Sequence, residues 1–172
     1  MRRILLLLAA LAVFALPAAA AARQPSHAVP GFVVVRDGSA DGTGIPVATV
    51  VVLGFVLGRV AHEGRVEIYP LTSGSSSLAG QATGADVTPH PVTWHGVPGT
   101  RFAGSDFRFR AVGGVWRVVV YGAGVSLYAG GVGRVSVHGS VAIPGDDGVY
   151  SLNDGPFASL PSGVLTSKFG TK

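Results

Sequence analysis

Two histidines and two aspartates are the side chains best suited to hold a metal ion. His90-Pro91-Val92-Thr93-Trp94-His95 sets two imidazoles five positions apart. A transition metal takes three or four ligands oriented by a second shell, so this pair is at most a fragment of a site. Asp37-Gly38-Ser39-Ala40-Asp41-Gly42-Thr43-Gly44 gathers two carboxylates and two hydroxyls in a glycine-permissive turn, and Asp146-Asp147-Gly148 and Asn153-Asp154-Gly155 repeat the flavour. Calcium takes six to eight such oxygens, and weak affinity suffices outside cells. The helices and glutamate of an EF-type loop are missing. Asp-Gly is also the ordinary material of tight turns, and exposed histidines are common as surface or capping groups. The metal candidates are therefore His90 and His95 for one site and Asp37 and Asp41 for another, with calcium the one cofactor in view.

Aromatic side chains make the stronger case, and it is a case for binding. Trp94, Phe102, Phe107, Phe109, Trp116, Tyr121 and Tyr128 crowd the second half of the chain. Most are expected in the core, because Phe107 and Phe109 share one strand face and Trp116, Val118 and Val120 share another. Trp94 and Tyr128 are the two expected outside, where a ring can stack on a sugar or a polymer surface.

Catalytic patterns are thin. Serines are many, but Gly74-Ser75-Ser76-Ser77 lacks the strand-to-helix elbow that exposes a nucleophile. Glu67, Asp86 and Asp106 could supply paired carboxylates, yet their spacing does not single them out, and Glu67 reads as a solvated partner of Arg65 on one strand. No glycine-rich phosphate motif is present.

The elements that must position these groups are strands. All 26 glycines follow residue 22, and Gly or Pro interrupts nearly every window long enough for a helix. Strands are expected over Phe32 to Arg36, Val47 to Gly54, Gly64 to Leu71, Phe107 to Val112, Trp116 to Tyr121, Val125 to Tyr128 and Gly133 to Ala142. Phe107-Arg108-Phe109-Arg110-Ala111 alternates core and water, and Gly113-Gly114 reads as a tight turn into Trp116-Arg117-Val118, making a hairpin. Segments 47–70 and 117–139 are similar, with Leu57 matching Leu127 and Gly64-Arg65-Val66 matching Gly133-Arg134-Val135 once Glu63 is treated as an insertion. The two similar units imply hairpins that complete each other's apolar face. Residues 72–100 between them read as a long loop. The expected fold is all-β, an antiparallel β-sandwich or flattened barrel.

The N-terminus supplies an address. Arg2 and Arg3, the apolar run Ile4 to Leu16 and Ala20-Ala21-Ala22 form a signal-peptide pattern over residues 1–22, and 23–172 are expected as a single secreted, extracytoplasmic β-domain with no stable membrane span after cleavage. Without cysteine there are no disulfides and no thiolate sites. Losing Arg2 and Arg3 takes the basic residues from 13 to 11 against 9 acidic, and the formal charge from +4 to +2. That small charge argues against a nucleic-acid partner. The expected function is a non-enzymatic binding or structural role at the cell envelope, with an envelope polysaccharide or protein as partner. One alternative is a small extracytoplasmic hydrolase or metal-dependent enzyme, marked by His90 or His95 meeting an Asp or another His. The other is self-association through edge strands such as Val50 to Val56.

Overall fold

The computed structural model describes residues 28–40, 44–72, 80–140 and 147–171. The signal-peptide pattern, the serine run and Asp41 lie outside the described residues. The fold is all-β and antiparallel. Nine strands, β1 (Gly31–Gly38), β2 (Ala48–Pro70), β3 (Gly80–Thr83), β4 (Thr88–Trp94), β5 (Val97–Gly122), β6 (Val125–Val137), β7 (Val149–Leu152), β8 (Ala158–Ser159) and β9 (Leu165–Phe169), form one sheet with the path β3-β5-β2-β6-β1-β7-β8. β4 joins through β5 and β9 through β6, and the sheet does not close into a barrel.

Length explains the architecture. At about 3.3 Å per residue the 23 residues of β2 would reach roughly 75 Å if straight, whereas a domain of this size has a radius of gyration near 15 Å. β2 and the 26-residue β5 must therefore bend. The pairing shows how: Val118 of β5 lies opposite Val50 on one side and Ile68 on the other, so the two halves of β2 embrace the end of β5.

One of the register shifts between β2 and β5 falls where side chains are absent. On neighbouring strands, Gly54 (φ 153°) faces Gly131 (φ 137°), and a Cβ on Gly54 would come within 2.1 Å of the Gly130 carbonyl oxygen. Gly113 (φ 72°) and Gly114 (φ 100°) lie beside them in β5. They are not the tight turn of a hairpin. The strand continues through them, with Val112 opposite Phe55 and Val115 opposite Leu53, so three steps on β5 face two on β2. This is a β-bulge, held by the Trp116 indole donating to the Gly113 carbonyl at 2.9 Å. The extra residue switches the inward positions from Phe107, Phe109 and Ala111 to Trp116, Val118 and Val120, all buried.

Val33, Val35, Val50, Val52, Val56, Val60 and Val66 complete the core with the phenylalanines and Trp116. Three further expectations are corrected. Residues 72–100 are not one loop, for β3 and β4 lie within them, and β4 returns to β5 through His95 (φ 45°) and Gly96 (φ 79°), a two-residue turn of the type that matches strand twist. The similar segments are not hairpins either. Residues 48–60 pair edge to edge with 125–137, each in an unbroken strand. Leu57 is exposed where its match Leu127 is buried, although Val66 and Val135 both point inward. Finally, Val50 to Val56 is no edge, being flanked by β5 and β6.

Candidate functional site

The register of β1, β6, β2, β5 and β3 places outward side chains in cross-strand rows. The first runs Phe32, Gly130, Phe55 and Val112, and the second Val34, Tyr128, Leu57, Arg110 and Gln81. The third holds Ser126, Arg59, Arg108 and Thr83. Strands lie about 4.8 Å apart and rows two residues, or roughly 7 Å, apart. The surface thus grades from aromatic to cationic over about 14 Å.

Its aromatic end is built around a missing side chain. A Cβ on Gly130 would meet the Phe55 ring at 2.5 Å and the Phe32 ring at 3.1 Å, so both rings lie over the bare backbone. Phe32 stacks on Tyr128 at 5.6 Å with planes 7° apart, and Phe55 meets the same ring at 5.6 Å and 49°. Tyr128 is 38% exposed, and Leu57 and Val112 beside it are also open to solvent. The sequence pointed to Tyr128. It missed Phe32 and Phe55, whose relation to Tyr128 depends on strand order alone.

At the cationic end Arg59 donates from Nε and Nη2 to Asp106 Oδ1, at 2.9 and 2.6 Å. Arg110 donates to Gln81 Oε1 at 3.0 Å, and the Arg36 guanidinium lies 4.5 Å from the centre of the Phe157 ring. Arg108 has neither a hydrogen-bond nor an ionic partner among the described residues. A shallow depression of about 490 Å³ connects Tyr128, Leu57, Ser126, Arg36, Arg59 and Arg108.

Trp94 sits in a different setting. It ends β4 half-buried, 6.1 Å from Tyr69 and 4.9 Å from His95, with the Arg117 guanidinium 4.3 Å from its ring centre. That guanidinium takes up a stacking surface of the indole. Next to it Glu67 is only 8% exposed, which corrects the expectation of a solvated pair. Its Oε2 accepts the Tyr69 hydroxyl at 2.8 Å and its Oε1 accepts Arg101 Nε at 3.0 Å, while Arg65 stands farther off at 3.8 Å. Burial, reinforced by the hydrogen bond and the negative charge of Glu67, pushes the Tyr69 phenol up to about 12. With both carboxylate oxygens engaged, Glu67 is a structural anchor.

His90 and His95 do not converge. His90 is exposed opposite Arg101 in β4 and His95 occupies the turn beyond it, roughly 16 Å away at strand spacing. Asp37 is exposed near the end of β1 with φ 52°. No group of three His, Cys, Asp or Glu residues suited to a metal occurs among the described residues. Compared with protein-family models, curated proteins and solved structures, the chain matches none.

Proposed function

We propose that this chain is a non-enzymatic, extracytoplasmic binding domain that holds an envelope polysaccharide on the outward surface of β1, β6, β2, β5 and β3. The observation that carries this reading is the platform of Phe32, Tyr128 and Phe55 laid over Gly130. Rings on a surface cost solubility, and apolar surface gathered in one place marks an interaction site. Sugar rings present C–H faces that pack on aromatic faces, while their hydroxyls need donors and acceptors at the rim. Ser126, Gln81 and Thr83 supply those along the neighbouring strands. Secretion, the address read from residues 1–22, puts such a surface where envelope polymers are.

Affinity electrophoresis of the full chain through gels cast with soluble neutral and acidic polysaccharides tests the reading. Retardation by at least one polymer is expected, with apparent affinity weakened about tenfold in Tyr128→Ala, equivalent to about 1.4 kcal/mol. An unchanged melting temperature in the variant separates contact from folding. Mobility unaltered by every polymer, or retardation indifferent to Tyr128, would sink the proposal.

A further inference from the structure

Four arginines, Arg36, Arg59, Arg108 and Arg110, border the aromatic platform, and among the described residues the acidic side chains beside them are Asp37 and Asp106. Arg59 and Arg108 stand directly opposite one another on adjacent strands. Like charges at such positions repel and cost stability. Asp106 relieves Arg59, whereas Arg108 is left without a partner among the described residues. An anion from outside would relieve this repulsion.

We infer that the polysaccharide is anionic, a polymer whose sugar faces lie on Phe32, Tyr128 and Phe55 while its acidic groups reach Arg59 and Arg108 one or two rows away. This rests on the glycan-binding reading and adds the charge of the ligand. The geometry favours a polymer over a small anion, because the aromatic and arginine rows are separated by about 7 to 14 Å. It also favours a carboxylate- or phosphate-bearing chain over a neutral one. Planar guanidinium forks match both groups, and Arg108 offers its full set of donors.

Polygalacturonate and its fully methyl-esterified form share a backbone and differ in charge, so they separate this inference from the reading beneath it. A third probe, inorganic polyphosphate, carries charge without sugar. With the full chain, polygalacturonate is expected to bind about tenfold more tightly than the ester at low salt, the difference shrinking as salt rises. The double variant Arg59→Gln/Arg108→Gln should erase that preference, bringing affinity for polygalacturonate down to that for the ester, while Tyr128→Ala weakens both. Equal binding of the two forms, or a preference that survives the double variant, overturns the anionic ligand and leaves glycan binding standing. Polyphosphate bound as tightly as polygalacturonate overturns the glycan reading itself, and neither glycan form bound overturns the inference of an anionic ligand. Melting curves in which no variant melts substantially below the parent exclude misfolding as the cause, and the arginine double variant is expected at or slightly above it because the repulsion is gone.

Discussion

Two regions of the same sheet use similar residues to opposite ends. Around Glu67 aromatic rings and arginines close on one another: Arg101 and Tyr69 both donate to the carboxylate, and Arg117 lies against Trp94 and Tyr69, 4.3 and 5.3 Å from their ring centres. Around Tyr128 the rings stack on each other while Tyr128 itself stays open to solvent, and the Arg108 side chain has no partner among the described residues. Composition does not distinguish the two regions. Satisfaction of the central charged group does, because a carboxylate with both oxygens engaged, as in Glu67, stabilises the fold, whereas the unpartnered guanidinium of Arg108 is available to a ligand.

The largest effect expected from breaking this contrast is in Glu67→Ala. Removing the carboxylate strands the Tyr69 hydroxyl and leaves Arg101 uncompensated, at a cost of about 2 to 3 kcal/mol. Urea denaturation reads that loss, and affinity for polygalacturonate should stay within about twofold of the parent because the platform lies elsewhere. A loss of stability below about 0.5 kcal/mol would show that the cluster is ornamental.

Tyr69→Phe should cost about 1 kcal/mol at neutral pH, for one buried hydrogen bond. Its pH dependence is more telling. Because the fold holds the phenol neutral up to about 12, against 10.0 for the free group, its contribution is fully present below pH 10 and disappears as pH rises through about 12. The stability gap between parent and Tyr69→Phe should therefore narrow over that interval, measured by denaturation at stepped alkaline pH. A gap that widened would place the phenolate, not the phenol, in the folded state. An absorbance titration should show the step near pH 12 in the parent and not in the variant.

Much of the core was legible because alternation is a local signal. Phe107 and Phe109 are buried and Arg108 and Arg110 exposed as their spacing required. The change of phase near Gly113 was also visible, but a turn and a bulge both produce it, and only the partner strand tells them apart. His95-Gly96 makes its turn with histidine where asparagine or aspartate is the usual signal, so β4 was hidden inside an apparent loop. Both regions depend on register between segments far apart in sequence. Tyr128 could be marked as a ring facing out, while Phe32 and Phe55 gain their meaning from Gly130 between them. Glu67 was misjudged for the same reason: alternation gave its face correctly, but not that Tyr69 and Arg101 would cover it.

The smallest stability effect should come from the open region, which is what makes it informative. Asp106 holds Arg59 through an exposed contact, worth at most about 0.5 kcal/mol to the fold. Asp106→Asn weakens that hold and removes a negative charge from the cationic row. If the row serves an external anion, the substitution should tighten binding of polygalacturonate by about threefold at low salt and leave the methyl ester unaffected. It should also sharpen the repulsion between Arg59 and Arg108, lowering the melting temperature by about a degree and recovering that degree when polygalacturonate is added. The same residue cannot tune ligand charge preference if Arg59 and Asp106 are merely a surface ion pair, so affinities that do not move would return this region to the same internally matched category as Glu67.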